Sequence, residues 1–212
     1  INKFTKQSTN YLAMKKIVLV GAGGHAKSLI DLIKTKEEYK IIGLVSNKHK
    51  VGESVLGHKV LGDDSQLKFL REDCEYAVVA VGQIKDSAKR KVLVQNLSLL
   101  GFRFPIISSK FSYISKYANI GEGTTIGHGA VINANANIGK HCIINSQSLV
   151  EHDSNINDFC HISTGVLING GVNIGEETFI GSNTMIRENV IIPSKVCISA
   201  GKRIMAWPLK SV

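Results

Sequence analysis

An isoleucine or valine occupies every sixth position from Ile114 to Ile204, sixteen times without a gap. Two residues ahead of these positions runs a second series of small residues, among them Ala118, Ala130, Ala136, Cys142, Ser148, Ser154, Cys160, Thr178 and Thr184. A period of six fits neither a helix nor a plain alternating strand. It is the signature of a stacked β-solenoid in which each six-residue unit supplies one short flat strand and one corner. Three units close a triangular coil of 18 residues, and positions 18 apart lie above one another at a strand spacing of about 4.8 Å. Residues 111–204 therefore predict roughly five coils. The large aliphatic residue fills each corner from inside, and the small residue points inward where two walls converge. The residue after the aliphatic one is Gly or Asn at Gly121, Gly127, Asn133, Gly139, Asn145, Asn157, Asn169, Gly175 and Gly181. Those residue types predict positive φ at the corners.

Ahead of the solenoid the pattern changes. Residues 16–21 (KIVLVG), 40–45 (KIIGLV) and 76–81 (YAVVAV) read as apolar strands, and 102–107 as a final one. Between them, a helix opens at Gly23-Gly24-His25-Ala26 and runs to about residue 36, burying Leu29, Ile30, Leu32 and Ile33. Further helices are expected over 66–71 and 86–100. Strands alternating with helices predict a small parallel α/β sheet. The organisation is thus a Rossmann-like α/β domain over 14–109 and a solenoid over 110–206, with residues 1–13 as an upstream or appended arm.

The first turn, Gly21-Ala22-Gly23-Gly24-His25-Ala26, matches G-x-G-x-x-A, which lets backbone amides approach a pyrophosphate at a helix N-terminus. A dinucleotide site wants an acid at the end of the second strand. Here that strand ends Val45-Ser46-Asn47-Lys48, so a nucleotide-diphosphate sugar is the expected ligand rather than NAD. A tight turn that needs glycine only for packing is the competing reading.

The net charge of +9 suits anionic ligands such as nucleotides or coenzyme A; its scatter argues against nucleic acid. No stretch of 18 apolar residues exists, so no membrane insertion is expected, and the polar start carries no secretory h-region. Cys142 and Cys160, 18 apart in the small series, read as reduced core filler in a cytoplasmic chain.

The solenoid carries His128, His141, His152 and His161. His152 stands out because Glu151 and Asp153 flank it, and a carboxylate beside an imidazole orients it and makes it more basic. That is what a general base for acyl transfer needs. His152 and His161 are nine residues apart, half a coil, so they lie on opposite sides of one solenoid. They can share a site only across two chains. Gly170 falls 18 residues after His152 and leaves room and a free N–H for an oxyanion.

The run Asn145-Ser-Gln-Ser-Leu-Val-Glu-His152-Asp153, then His161-Ile-Ser-Thr-Gly165 and Asn169-Gly170-Gly171, together with the N-terminal GAGGHAKSLID, resembles the sialic acid O-acetyltransferase and UDP-4-amino-sugar N-acetyltransferase family. The likeness covers nearly the whole chain from Met14. It implies a left-handed β-helix, acetyl-CoA as donor and a homotrimer with sites between solenoids. It implies that His152 is the base, polarised by Asp153 or Glu151. Asn145, His161, Gly170, Gly181 and Ser182 would serve acetyl-CoA. Gly23, Gly24, His25, Ser46, Asn47 and Lys48 would meet the sugar nucleotide. Implied too is a part in bacterial surface glycan assembly.

N-acetylation of a nucleotide amino sugar is the leading expectation; O-acetylation of a sialic acid and a non-catalytic trimeric scaffold are the alternatives. A γ-type carbonic anhydrase would need zinc-ligating histidines in a close pair. His141, His152 and His161 are separated by 11 and 9 residues, so no metal is expected. Near the C-terminus, Pro208 and Lys210 stand where the family has a coenzyme-binding segment. Trp207 is expected to plug the solenoid end in preference to covering an adenine.

Overall fold

The computed structural model describes residues 14–84 and 86–208; the arm 1–13 and Lys210 lie outside the described residues. The first domain is one five-stranded sheet flanked by helices. Its elements are β1 (Lys15–Val20), α1 (Gly24–Lys34), β2 (Tyr39–Val45), β3 (Ser54–Val55), β4 (His58–Gly62), α2 (Leu67–Asp73), β5 (Tyr76–Val79) and α3 (Ala88–Leu99). The strand order is β3-β4-β2-β1-β5. Strand β1 is buried on both faces, which its unbroken apolar run Ile17–Val20 requires. Ala26, Leu29, Ile30, Leu32 and Ile33 of α1 pack on one side, and Leu93, Val94 and Leu97 of α3 on the other.

Two expectations for this domain are corrected. The sheet is mixed, because β3 runs antiparallel to β4. This hairpin turns through Leu56 and Gly57, both at positive φ, and a leucine in that place hides the turn from a sequence reading. The final strand over 102–107 does not join the sheet. Arg103 makes one isolated bridge to Tyr76, and Ile107–Ser108 instead pairs with Thr125–Ile126 as the first rung of the solenoid.

The solenoid is a β-helix of two-residue strands from Ile107–Ser108 to Arg203–Ile204, each paired in parallel with the strand 18 residues on. Three stacked sheets form its walls. The six-residue series is fully internal, from Ile126 and Ile132 through Val150 to Ile204, all at 0–3 % exposure. Thr124, Ala130, Ala136, Cys142, Ser154, Cys160 and Thr178, at 0 %, line the interior beside it. Cys142 and Cys160 are free, each thiol 3.1 Å from a backbone carbonyl. Trp207 packs against the end of this core, as a plug would.

The outward residues give each wall its own character. One wall carries Ile107, Thr125, Ile143, His161 and Phe179 and is covered by the α/β domain: Ile107 belongs to that domain's core, and Gln83 Nε2 donates to Phe159 O at 3.0 Å. Buried Arg90 on α3 ties the units further, donating to Gln83 Oε1 and His141 O at 3.0 and 2.7 Å. The second wall stacks Tyr113, Val131, Leu149, Leu167 and Met185, an apolar ladder open to solvent in one chain. The third stacks Asn119, Asn137, Asn155 and Asn173, and the amides of Asn119, Asn137 and Asn155 bond to one another along the ladder.

The glycine argument is also corrected. Positive φ falls not on the residue after the aliphatic one but two further on, at Gly123, Gly129, Asn135, His141, Asp153 and Gly171 among others. Gly127 is demanded by space: a Cβ there would sit 2.5 Å from Ser146 N and 2.8 Å from Asn145 C of the coil above. At these corners the chain of one coil rests directly on the next.

Gly127→Ala should therefore force neighbouring coils apart and lower the thermal midpoint by several degrees, the effect of about 1 kcal/mol or more. Asn133→Ala, at the equivalent repeat position, should stay within about 0.5 kcal/mol. Thermal unfolding followed by circular dichroism compares the two.

Candidate active site

His152 sits on the edge where the apolar wall turns into the asparagine wall. Three residues meet there. The His152 Nδ1 lies 2.7 Å from Asp153 Oδ2, and Asp153 Oδ1 in turn accepts from Asn135 Nδ2 at 2.6 Å, one coil below. Asp153 holds the left-handed φ of +59°, a conformation that aspartate tolerates better than most residues and that aims its carboxylate back at the ring. Glu151 accepts the His152 backbone N–H at 3.3 Å, so Asp153 orients the imidazole and Glu151 caps the corner. With Nδ1–H given to the carboxylate, Nε2 keeps its lone pair. The hydrogen bond accepted by Asp153, with the charges of Asp153 and Glu151, raises the His152 pKa above 6.5. Bonds from Asn135 and His152 hold Asp153 below the ordinary aspartate value.

The same edge explains the room around the ring. Positions 134, 152 and 170 are stacked, with Asp153 N donating to Ala134 O and Gly171 N to His152 O. A Cβ at Gly170 would stand 2.8 Å from His152 Cε1 and 2.9 Å from Nε2. Only glycine admits the imidazole there. The Gly170 N–H has no acceptor among the described residues, whereas the equivalent N–H groups of Lys140 and Ser146 are capped by Asp158 and Asn145 side chains.

Asn145, Gly181 and Ser182 lie on the next edge, between the covered wall and the apolar wall. Asn145 Oδ1 accepts its neighbour Ser146 N at 2.8 Å, and Ser182 Oγ pairs with Ser163 Oγ at 2.9 Å. His161 is buried under the α/β domain, its Nδ1 against the carbonyl of Gln83 and its Nε2 unpartnered. The structure thus splits the expected residues between two edges and, for His161, the wall covered by the α/β domain. Gly170 goes with Glu151, His152 and Asp153; Asn145, His161, Gly181 and Ser182 lie across the apolar wall from them.

The residues expected to meet a sugar nucleotide do converge. Gly23, Gly24, His25, Ser46, Asn47 and Lys48 line one cavity of about 290 Å³ at the carboxyl ends of β1, β2 and β5. Gly21, at φ +123°, is needed for packing, since a Cβ would meet Ala80 O at 2.7 Å. Gly23 and Gly24 have nothing within 4 Å of where a Cβ would be, so the space beside the α1 N-terminus is open. The cavity also holds His49, Asp64 and Lys89, which the sequence reading missed. Asp64 Oδ2 accepts from Asn47 Nδ2 at 2.9 Å, bringing an acid to the end of β2 from 17 residues away. A smaller cavity of about 100 Å³, lined by Asp31, His128 and Asn145, shares His25 with the first. His25 Nε2 is buried without a partner.

Burial, with nearby Arg90, pushes His25 down to about 3 and His161 and His141 to about 4, so all three are neutral at ordinary pH. Among the described residues no group of His, Cys, Asp and Glu side chains is arranged to hold a metal ion, and no helix is long and apolar enough to cross a membrane.

Residues 16–97 match the family described as PglD N-terminal domain, and residues 117–152 match the bacterial transferase hexapeptide (six repeats). Among solved structures, the acetyltransferase domain of PglB from Neisseria gonorrhoeae in complex with acetyl coenzyme A is 30 % identical with a TM-score of 0.83, covering 91 % of this chain and 92 % of that one. A histidine-to-asparagine mutant of perosamine N-acetyltransferase from Caulobacter crescentus, in complex with CoA and GDP-perosamine, is 28 % identical with a TM-score of 0.76, covering 89 % and 95 %. WeeI from Acinetobacter baumannii, 23 % identical with a TM-score of 0.69 over 89 % and 95 %, shares the fold. A search of curated proteins finds no match.

Two outcomes follow from this geometry. In NMR titrations the His152 ring should titrate above 6.5, and Asp153→Asn should bring the midpoint back down. The buried histidines act on stability with the opposite sign. Their folded pKa values lie below 6.5, so the unfolded chain binds more protons between these limits. Stability is complete above pH 6.5 and should fall progressively toward pH 4, as read by denaturant midpoints across that range.

Proposed function

We propose, on the premise that this chain belongs to the sugar acetyltransferase family of PglB, with a PglD-type N-terminal domain and a hexapeptide β-helix, that it moves acetyl from acetyl-CoA to the amino group of a nucleotide-linked amino sugar in surface glycan biosynthesis. The observation that carries this reading is the Asn135–Asp153–His152 relay lying beneath Gly170. It supplies a base and an unengaged N–H at one point, the two parts that amide formation from a thioester requires.

In the proposed reaction the sugar amine attacks the thioester carbon while His152 Nε2 takes its proton. A C–N bond forms and the carbonyl electrons move to oxygen, where the Gly170 N–H meets the charge. Collapse of this intermediate breaks the C–S bond and releases the CoA thiolate, which takes up a proton. Asp153 stabilises the imidazolium throughout. Cys142 and Cys160 face the interior, so a covalent acyl-enzyme forms no part of the scheme.

A homotrimer is the assembly this reading calls for. Asn145, His161, Gly181 and Ser182, proposed to hold acetyl-CoA, lie across the apolar wall from His152. Burying that wall of Tyr113, Val131, Leu149, Leu167 and Met185 around a threefold axis sets one chain's donor edge against its neighbour's base. The two half-sites flank the surface that most needs covering. The sugar nucleotide is proposed to lie in the cavity of Gly23, Gly24, His25, Ser46, Asn47 and Lys48.

His152→Ala should leave the assembly intact by light scattering and reduce kcat for acetyl-CoA and an amino-sugar nucleotide by about 10²–10⁴-fold. Near-normal turnover in an intact assembly would refute the role of His152. A zinc requirement or turnover only with sialic acids would redirect the reading.

A further inference from the structure

We infer that the groove running from His152 down to the first coil is the acceptor subsite, in which Lys116 meets a phosphate of the nucleotide-linked sugar and Tyr117 forms the wall beside its ring. This rests on the nucleotide-sugar reading above and adds the residues that select for that class of substrate.

Positions 116, 134 and 152 are 18 apart on one edge. Two coil spacings put Lys116 about 10 Å below His152 along the solenoid. The groove between them, about 660 Å³, is lined by Lys116, Tyr117, Ala134, Glu151 and His152, with Tyr113 at its side. Ala134 is the reason it is continuous: a larger residue on the middle coil would divide it. On the opposite side of the ring lies Gly170, where the thioester is placed, so this side remains for the acceptor.

Charge runs along the groove in one direction. Glu151 and Asp153 stand at the His152 end, where the ammonium form of the amine arrives and sheds one proton to solvent before the free amine attacks. Lys116 stands at the other end. It has no carboxylate within ion-pair distance among the described residues, unlike Lys140, which is 2.9 Å from Glu122 on a neighbouring edge. Its ammonium lies 4.8 Å from the centroid of Tyr117, which stations the cation at the groove floor while Tyr117 remains 65 % exposed. A nucleotide amino sugar has this same polarity, cationic at the amine and anionic at the diphosphate, one sugar ring apart. A thioester offers no cation for the acidic end.

The heights agree as well. The cavity shared by His25, Asp31, His128 and Asn145 lies level with Thr125, Gly127 and Ile143, in the second and third coils. Lys116 and His152 lie in the first and third. In a threefold assembly with parallel solenoid axes these heights are kept, so a sugar nucleotide leaving one chain's α/β domain reaches its neighbour within this groove.

The test is steady-state kinetics with acetyl-CoA and, as acceptors, GDP-perosamine and a UDP-4-amino sugar. Lys116→Gln should raise the acceptor KM about tenfold, equivalent to about 1.4 kcal/mol. Both kcat and the acetyl-CoA KM should stay within about twofold, the pattern of lost uniform binding. Lys116→Arg should restore most of the acceptor affinity, which a general effect on folding would not, and Tyr117→Leu should raise the same KM. An unchanged acceptor KM in Lys116→Gln overturns the subsite while leaving the reaction assignment standing. A rise confined to the acetyl-CoA KM assigns the groove to the coenzyme and overturns it too. Absence of turnover by the unaltered protein with every acceptor overturns the reaction assignment itself, and this subsite with it.

Discussion

Backbone hydrogen bonding between coils, at one fixed spacing and one fixed register of 18 residues, is the constraint from which the other features descend. A two-residue strand has almost no stability alone. Repeated in parallel ladders and filled by an unbroken internal column of isoleucine and valine, it becomes a rigid ruler. Because the ladder admits no slip, side chains 18 apart are held in contact by the backbone rather than by their own attraction. Asn135, Asp153 and His152 need no packing from a surrounding pocket to stay aligned. The imidazole can be oriented while remaining exposed to a substrate.

A triangular prism has three walls, and each meets a different fate in this chain. One is sealed by the α/β domain through Ile107, Gln83 and Arg90. One is satisfied by asparagine amides that bond along their own ladder. The third is apolar and left uncovered in a single chain. Exposed apolar ladders of this size are costly in water and mark contact surfaces. The two proposed half-sites sit at the edges bounding that wall, so the proposed trimer couples completion of the site to burial of the wall.

The solenoid was legible because its period is long-lived and exact spacing survives many substitutions; Ile126 and Val150 announce the same position equally well. Stacking was legible for the same reason, and the closeness of Gly170 to His152 follows from counting 18. Counting also reaches Asn135 from Asp153, though an asparagine at a corner reads first as a turn residue. What stayed hidden depends on approaches that no local pattern encodes. Asp64 reaches the end of β2 from a single 3-10 turn beyond the hairpin. Gln83 fixes His161, and Arg90 the carbonyl of His141, from another domain. The turn at Leu56-Gly57 lacks the residue types that usually declare a hairpin. At the corners the glycine signal was visible, but its cause was misread: some of these glycines answer to the coil above them, not to their own φ.

The fixed register has a further consequence for how such a chain can vary through evolution. Losing or gaining a single residue between Val131 and Glu151 would rotate His152 off its edge and onto a wall, and every rung above would turn with it. Only whole turns can be inserted or deleted harmlessly. The length of the prism is therefore quantised, while the walls' outward residues remain free to change one at a time. Lineages of this architecture should differ in how many storeys they stack far more readily than in the size of a storey.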